Sequence, residues 1–320
     1  MGGVELRHFS ASLMGRDRNP PWGLGGTRVA HTPERARIGR VISERSAGMQ
    51  VRFWGVRGSI AVSGDAYART GGNTTCVEVL AEGERLVLDG GTGLRGLGAA
   101  LGFGPVRATL LFSHLHWDHI QGVPFFAPAF HPESDLTFVG VTRASGTLRE
   151  ALAAQMRPPT FPVGLDRLVG AKRFVDVARD APFEVGPFRV SPLDQAHPDG
   201  VVAYRVEAGG RSMVFATDCE HGTSIDDRLT RLAEGVDLLV HDAQYTAAEY
   251  QGVGGPPRRG WGHSTIDDAT EVARRAGVGR LALFHHDPAR SDDAVDALEA
   301  TARAQFQRSF AAREGVSLSL

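Results

Sequence analysis

Residues 109–122 read TLLFSHLHWDHIQG, and the chemistry of this stretch constrains the fold of the whole chain. An apolar run ends at Phe112. Four potential metal ligands then follow within six residues: His114, His116, Asp118 and His119. Three imidazoles confined this closely would repel one another if protonated, and would need several buried hydrogen-bond partners if neutral. Imidazole nitrogen and carboxylate oxygen are good zinc ligands, so the segment predicts a metal-binding turn at the end of a strand.

The density of ligands indicates two ions, because a single zinc ion takes about four ligands. The alternating spacing sends His114 and His116 to one side, while Asp118 and His119 can reach a second position. Further ligands are expected at the ends of later strands, and three residues follow such strands: His197, Asp218 and His285. A carboxylate can bridge two cations, so Asp218 is the candidate bridge. The predicted cofactors are two divalent ions, zinc first, with manganese or iron as alternatives.

From residue 50 onward, short segments rich in Val and Leu alternate with helical patterns, separated by Gly-containing turns. The predicted strands are Val51–Val56, Thr75–Leu80, Arg85–Leu88, Ala108–Phe112, Leu136–Val139, Phe188–Pro192, Val202–Val206, Ser212–Ala216, Leu238–Val240 and Leu281–Phe284. The predicted helices are Thr142–Ala154, Ile225–Ala233, Ile266–Ala276 and Asp292–Ala312. Ser264 or Thr265 suits the N-terminus of the third helix, and Ser291 that of the fourth. This alternation predicts an α/β fold with two sheets in the middle and helices outside.

Composition and charge narrow the possible partners and the compartment. The formal net charge is −2, so no global basic field indicates nucleic-acid binding. Cys76 and Cys219 are far apart and form no CxxC motif, which fits a reducing cytoplasm. No apolar run approaches the roughly 18 residues of a membrane helix, and no signal peptide is recognisable, so no membrane partner is expected.

Residues 1–48 differ from the rest of the chain. They are rich in Arg, Gly and Pro and lack sustained periodicity, so we expect an extension with little regular structure. Regular structure is expected to begin at Met49, which opens the segment MQVRFWGVRGSI. The chain therefore divides into an extension over 1–48 and a domain over 49–320.

The metal motif and the later His197, Asp218 and His285 occur in the order typical of the metallo-β-lactamase superfamily, which the chain resembles over about residues 50–290. The resemblance implies that residues 49–320 form a four-layer αββα sandwich of two mixed β-sheets flanked by helices, with the site at one edge between the sheets. It also implies a ligand set for each ion. One ion would be held by His114, His116 and His197, the other by Asp118, His119 and His285, with Asp218 between them.

Further motifs resemble those of the ribonuclease Z-like phosphodiesterases: GNTTCVEV at 72–79, LVLDGGTGL at 86–94, LLVHDAQY at 238–245 and GWGHST at 260–265. The resemblance implies that Asp89 braces the metal-binding turn. It implies that Asp242 holds His263 protonated, so that this imidazole donates a proton to the leaving oxygen. Asp118 would bind metal and orient an attacking hydroxide between the ions. The predicted catalytic residues are Asp118, His263 and Asp242.

One departure from the family pattern bears on the substrate. In tRNA-processing ribonuclease Z, a long arm that grips tRNA usually lies between the third His ligand and the bridging Asp. Here only two short strands and a turn separate His197 from Asp218. We therefore expect a small phosphodiester, such as a cyclic nucleotide or cyclic phosphate, or a short RNA, and we set tRNA precursors aside. Arg258 and Arg259 are open to two interpretations, a phosphate clamp or solvated loop charges.

Other functions remain open. The same two ions would serve a carbonyl-ester, lactone or thioester hydrolase, against which only His263 and Asp242 argue. A di-iron oxidoreductase of this fold typically carries Glu where this chain has His116, and it needs a flavin-binding partner domain. A non-catalytic metal-binding sensor would be expected to have lost ligands, which are intact here. A homodimer is implied by the resemblance alone.

Overall fold

The computed structural model describes residues 48–141 and 146–320. The extension expected over 1–48 lies outside the described residues apart from Gly48, so it stays a prediction. Among the described residues, the first strand begins at Met49. Among the described residues, no helix combines the length and the apolar character needed to cross a bilayer.

The described residues contain two sheets of seven strands each. In chain order the strands are β1 (Met49–Gly55), β2 (Cys76–Ala81), β3 (Glu84–Leu88), β4 (Arg107–Leu111), β5 (Asp135–Val141), β6 (Ala171–Val177), β7 (Phe183–Val185), β8 (Phe188–Gln195), β9 (Val201–Ala208), β10 (Arg211–Ala216), β11 (Leu238–Asp242), β12 (Arg280–Phe284), β13 (Ser309–Ala311) and β14 (Ser317–Ser319). The first sheet has the order β14-β1-β2-β3-β4-β5-β6 and the second β13-β12-β11-β10-β9-β8-β7.

Both sheets are mixed. In the first sheet β3 to β6 are mutually parallel, and in the second β10 to β13 are, while the remaining neighbours pair antiparallel. Because β9 reverses direction between its neighbours, β8 runs the same way as β10, β11 and β12. The carboxyl ends of these four strands therefore meet at one edge of the second sheet, which is where a parallel arrangement usually places a ligand site.

Helices cover the outer faces of both sheets. In chain order they are α1 (Gly93–Leu101), α2 (Trp117–Ile120), α3 (Leu148–Gln155), α4 (Asp227–Leu232), α5 (Ala247–Tyr250), α6 (Ile266–Ala276) and α7 (Asp292–Gln305). One apolar cluster joins the inner faces of the two sheets, with Phe53 and Phe284 among its members. A second packs α4, α6 and α7 on the second sheet, and a third packs α1 and α3 on the first. These layers confirm the predicted αββα sandwich.

All ten predicted strands are present, with shifts of a few residues at their ends. Four strands were not predicted: β6, β7, β13 and β14. Each lies at the edge of its sheet or next to it, and β7, β13 and β14 have only three residues each. Such short strands lack an alternating pattern, and a neighbouring strand supplies the hydrogen bonds that define them.

The helix predictions need several corrections. The helix predicted over Ile225–Ala233 is Asp227–Leu232, and the four-residue helices α2 and α5 were not predicted. The helix predicted over Asp292–Ala312 ends at Gln305, because Phe306 is extended and the chain then forms β13 beside β12. The helix predicted over Thr142–Ala154 is described only from Leu148, after the N-cap Thr147, and 142–145 lie outside the described residues. Helix α1 was not predicted, because its three glycines weaken the helical pattern.

Two N-caps were predicted from sequence and are present. The side chain of Thr265 accepts a hydrogen bond from the backbone of Asp268, whose carboxylate accepts one from the backbone of Thr265, so a capping box opens α6. Ser291 caps α7 through the backbone of Ala294. The cap at Thr265 determines where α6 starts, three residues after His263.

Candidate metal centre

All seven predicted metal ligands lie at one edge of the sandwich. Five segments place them there. The segment after β4 contributes His114 and His116, and α2 contributes Asp118 and His119. The ends of β8, β10 and β12 deliver the others: His197, Asp218 and His285. Their ligand atoms form two groups, within each of which all atoms lie within 4.8 Å of one another. The structure therefore brings together every residue that the sequence proposed for the two ions.

The first group consists of His114, His116 and His197. The Nε2 atom of His197 lies 3.1 Å from the Nδ1 atom of His116, and the ring of His114 lies 4.5 and 4.9 Å from the other two rings. Two nitrogens that share a tetrahedral zinc ion at the usual bond length are about 3.3 Å apart. The distance between the His197 and His116 nitrogens is therefore close to the edge of a zinc coordination tetrahedron.

The second group consists of Asp118, His119, Asp218 and His285, all of them buried. The Nε2 atom of His285 lies 3.2 Å from a carboxylate oxygen of Asp118 and 3.2 Å from one of Asp218. Asp218 also lies 3.2 Å from Nε2 of His119. Its other oxygen lies 3.8 Å from Nε2 of His114, in the first group. Asp218 thus lies between the two groups, where a bridging carboxylate is required.

Two buried nitrogens provide a direct test of whether metal ions fit. The Nε2 atoms of His114 and His119 have no hydrogen-bond partner among the described residues. The Nδ1 atom of each ring is already engaged, that of His114 by Ser113 Oγ at 3.1 Å and that of His119 by Asp89 at 2.8 Å. Two unpartnered ring nitrogens at a cluster of buried carboxylates are the arrangement that a cation completes. The residues present therefore fit divalent metal ions.

The protonation states also suit metal binding. Burial, reinforced by the neighbouring His119, lowers the pKa of His114 well below its usual value, so this imidazole stays neutral and keeps a lone pair. Burial alone would raise the pKa of Asp118, but His119 and His285 outweigh it and hold that pKa well below its usual range. These two groups therefore have the charge states, a neutral imidazole and an ionised carboxylate, that metal ligation requires.

A second layer of hydrogen bonds orients the ligand rings. Asp89 accepts hydrogen bonds from the backbone N–H and the hydroxyl of Ser113, both at 2.7 Å, as well as facing His119. This is the bracing role that the resemblance implied for Asp89. His285 Nδ1 lies 3.0 Å from the amide oxygen of Gln244, and His197 Nδ1 lies 2.9 Å from the carbonyl oxygen of Gly262. In each case the distal Nε2 atom is left facing the cluster.

Backbone strain is concentrated in the same place. Asp89, Asp218 and His285 all have positive φ, at 61°, 54° and 60°. Left-handed backbone is uncommon for residues other than glycine, and it persists where the surrounding structure imposes it. Two candidate ligands and Asp89, which is bonded to a third, share this conformation. Such residues cluster at functional sites, so the strain supports the choice of this edge as the candidate site.

His263 and Asp242 form a hydrogen-bonded pair beside the second group. Nδ1 of His263 lies 2.8 Å from a carboxylate oxygen of Asp242, and the ring of His263 stacks on that of His285 at 5.0 Å. Burial lowers the pKa of His263, but Asp242 outweighs it and raises the pKa to about 9. Asp242 also accepts backbone hydrogen bonds from Asp218 and Ser264. The imidazole is therefore protonated at neutral pH and held against the cluster.

The structure shows that Arg258 and Arg259 have different neighbours, which the sequence could not show. The guanidinium of Arg258 lies 4.5 Å from the ring of Trp261 and 5.4 Å from that of Tyr245, and the Tyr245 ring is 5.8 Å from His263. Arg259 instead lies over Tyr250, at 5.9 Å. Arg258 is therefore the one that lies over Tyr245, whose ring contacts His263. Tyr245 and Trp261 were not singled out from sequence, although both stand in the two motifs that carry Asp242 and His263.

A third cluster lies next to the centre and consists of Cys219, His221 and His241. The Nδ1 atom of His241 faces the carbonyl of Asp242 at 2.7 Å, and Nδ1 of His221 accepts from the backbone of Asp226 at 3.1 Å. His221 must then donate from Nε2 to Nε2 of His241, at 3.2 Å. This chain of hydrogen bonds gives every ring nitrogen a partner without an ion. His241 and Cys219 are both buried in this network.

Residues 84–286, more than half of the chain, match the family described as the beta-lactamase superfamily domain. The chain belongs to the metallo-β-lactamase superfamily. It is similar to ribonuclease Z of Mycolicibacterium gilvum, with 29% identity over 269 residues, covering 75% of this chain and 87% of that protein.

Solved structures show the same fold. The metallo-β-lactamase fold protein YhfI from Bacillus subtilis has a TM-score of 0.64 at 21% identity, covering 85% of this chain and 99% of that one. Human tRNase Z, short form, has a TM-score of 0.57 at 20% identity, covering 84% and 98%. The predicted family, fold and class, a metal-dependent hydrolase of the ribonuclease Z-like branch, are confirmed. The similarity to ribonuclease Z gives no support to setting tRNA precursors aside.

Proposed function

We propose that this protein is a phosphodiesterase that uses two metal ions. One ion would be held by His114, His116 and His197, the other by Asp118, His119 and His285, with Asp218 shared between them. When bound, two such ions supply an ionised water at neutral pH and neutralise charge on the non-bridging phosphate oxygens. The His-rich set favours zinc, with manganese and iron as alternatives.

One observation carries the proposal, the hydrogen bond between His263 and Asp242. The Nδ1 atom of His263 is engaged by Asp242 at 2.8 Å, so Nε2 is the atom from which this imidazole would release its proton. An alkoxide leaving from phosphorus is strongly basic and needs that proton. The pKa of about 9 keeps His263 charged until the leaving oxygen becomes more basic than the imidazole. His263 is therefore the proposed general acid, and Asp242 its orienting partner.

Asp118 has two proposed roles. One carboxylate oxygen lies 3.2 Å from His285 and accepts a hydrogen bond from the backbone of Ser59 at 2.7 Å, which fixes the orientation of the side chain. The carboxylate would hold metal and orient the attacking water towards phosphorus. Asp118 lies beside His285, and His263 stacks on the ring of His285. The two proposed catalytic side chains would therefore lie close to the same proposed ion.

The substrate is proposed to be a small phosphodiester, such as a cyclic nucleotide or cyclic phosphate, or a short RNA. Two features support this choice. The segment from His197 to Asp218 consists of β9, β10 and their turns and has no inserted arm, and the chain has a net charge of −2. A tRNA precursor remains the competing substrate, because ribonuclease Z is among the relatives. Residues 49–320 are proposed as the hydrolase domain, and the homodimer stays a prediction.

The proposal is tested by measuring hydrolysis of bis(p-nitrophenyl) phosphate and metal content on the same sample. We expect turnover with about two metals per chain, and loss of both on chelation. His263→Ala should keep its metals while turnover of a dinucleotide falls by about 10²- to 10⁴-fold. His131→Ala, which removes an imidazole in edge-to-face contact with Phe103 instead, is the matched control.

Three results would contradict the proposal. Loss of metal in His263→Ala would make that residue a ligand. Two bound metals with turnover of esters, lactones or thioesters but not of phosphodiesters would identify a carbonyl hydrolase. Failure to bind metal after reconstitution would argue against both a phosphodiesterase and a carbonyl hydrolase and would favour a protein without catalytic activity. Cleavage of a tRNA precursor in preference to dinucleotides and cyclic nucleotides would support the proposed reaction but contradict the proposed substrate.

A further inference from the structure

Glu220 is bonded to the loop that leads to His263. One carboxylate oxygen accepts hydrogen bonds from the hydroxyl of Tyr250 at 2.5 Å and from the backbone of Gly260 at 2.8 Å. The other oxygen accepts from the backbone of Gly262 at 2.8 Å. Charge-assisted hydrogen bonds of this kind are stronger than neutral ones. With three donors on its two oxygens, the carboxylate is engaged in holding protein groups.

The loop that Glu220 holds has little intrinsic rigidity. It runs from the end of α5 to His263, and Gly252, Gly254, Gly260 and Gly262 all have positive φ. Glycines lose more conformational freedom on ordering than other residues, so this loop needs an external restraint to adopt one conformation. Glu220 supplies that restraint at the end of the loop nearest to His263.

The restraint reaches two residues of the proposed centre. Gly262 immediately precedes His263, and its carbonyl oxygen lies 2.9 Å from Nδ1 of His197. The backbone N–H of Glu220 itself donates to the carbonyl of Ala196 at 3.0 Å, next to His197. Glu220 also follows Asp218 by two residues. One side chain thus links the segments that carry His197, Asp218 and His263.

We propose that Glu220 is a positioning residue, which orders the 252–262 loop so that His263 can deliver its proton and the Gly262 carbonyl can orient His197. The expected effect on catalysis rests on the proposed function, whereas the expected effect on the order of the loop does not. Burial, together with the hydrogen bond to Glu220, raises the pKa of Tyr250 to about 12, so its hydroxyl remains a donor across the working pH range.

The structural consequence is tested with trypsin, because Arg258 and Arg259 lie in the loop. Glu220→Gln keeps the shape of the side chain but places an amide NH₂ against N–H donors, so hydrogen bonds are lost. We expect cleavage after Arg258 or Arg259, identified by fragment mass, to become about tenfold faster. Glu234→Gln, the same change at an exposed site, is the control and should match the wild type.

The kinetic consequence is tested by varying the leaving group. A p-nitrophenolate leaves from bis(p-nitrophenyl) phosphate without help, whereas the sugar alkoxide of a dinucleotide needs a proton. Glu220→Gln should therefore lower kcat for the dinucleotide by about 10- to 100-fold, with KM nearly unchanged, and should lower turnover of the aryl diester far less. Tyr250→Phe removes one of the three bonds and should give a smaller effect of the same kind.

The outcomes separate the two proposals. Equal losses on both substrates would show that Glu220 only stabilises the fold, and unchanged trypsin cleavage would show that it does not hold the loop. Either result overturns the inference. If the wild-type protein hydrolyses no phosphodiester, the proposed function fails, and the cleavage rates of Glu220→Gln and Tyr250→Phe still decide whether Glu220 holds the loop.

Discussion

Gly262 packs so closely against His197 that a Cβ atom on Gly262 would overlap the Nδ1 atom of the imidazole. Gly262 also has a φ of 87°, a conformation that side chains other than glycine rarely adopt. The two residues meet through the hydrogen bond between His197 Nδ1 and the Gly262 carbonyl. The contact joins the loop that leads to His263 with a candidate ligand from the other side of the centre.

Gly262→Ala should therefore impair metal binding as well as turnover. The added methyl group would push His197 out of its position, so we expect metal affinity to fall by about 10- to 100-fold, measured by competition with a chromophoric chelator. Gly254→Ala is the matched control, since its φ is 82° but no atom lies within 4 Å of the added Cβ. Equal losses in the two variants would attribute the effect to backbone strain and not to His197.

Asp89→Asn should weaken the metal centre without removing a ligand. Asp89 faces three donors, namely His119 Nδ1, the Ser113 backbone and the Ser113 hydroxyl. An amide has only one acceptor oxygen, so at least one donor would face its NH₂ group. We expect about 10- to 100-fold lower metal affinity with the fold retained, as followed by metal titration and circular dichroism. Unchanged affinity would show that His119 is oriented by its packing alone.

Removal of metal should destabilise the fold. The cluster places several imidazoles and the carboxylates of Asp118 and Asp218 in a buried space, and ions that bind only the folded state stabilise it by mass action. We expect chelation to lower the Tm of the wild-type protein by at least several degrees. Asp218→Ala should show a much smaller shift, whereas the exposed control Asp180→Ala should behave like the wild type. A chelation-insensitive wild type would contradict the assignment of a metal centre.

His286 should make the protein sensitive to acid. Its ring is buried, its Nε2 donates to the carbonyl of Ala312 at 2.9 Å, and burial lowers its pKa to about 3. The same imidazole in the unfolded chain has a pKa of about 6.5. Between those two values the unfolded state binds a proton that the folded state does not. Stability therefore falls as pH is lowered through this range, by about 1.4 kcal/mol per pH unit.

His286→Gln removes the titrating group and should flatten that dependence. The measurement is urea unfolding at several pH values from neutral to about 4. The protein is treated with chelator first, so that the pH dependence of metal binding does not contribute to the slope. The half-exposed His131→Gln is the control, and it should keep the wild-type slope. An unchanged slope in His286→Gln would assign the acid sensitivity to other buried histidines, such as His221 and His241.

Local patterns were sufficient for the central elements and for the ligands. The strands that end before His114, Asp218 and His285 are buried apolar runs, and such runs are visible without a structure. The ligand residues are recognisable by their chemistry and by their place after those runs. The capping box at Thr265 is likewise a short-range signal, which is why α6 was predicted with its correct bounds.

Other elements depend on partners far along the chain. The three residues of β13 are a strand only because β12 lies beside them, so the sequence was misread as a longer α7. Helix α1 contains three glycines, and the packing of Leu94 and Leu97 against the first sheet compensates for their poor helix propensity. No local pattern predicts contacts of this kind.

The amino-acid sequence alone indicated the class of fold and the candidate metal ligands, because periodicity and donor chemistry act over a few residues. The Asp242–His263 pair was indicated by the resemblance of its two motifs to those of the ribonuclease Z-like phosphodiesterases. Only the tertiary structure decided that Arg258 and not Arg259 lies over Tyr245 and Trp261, that Glu220 contacts the loop before His263, and that Gly262 excludes a side chain next to His197. These relationships join atoms from segments that are distant in sequence, and their geometry exists only once both sheets have packed.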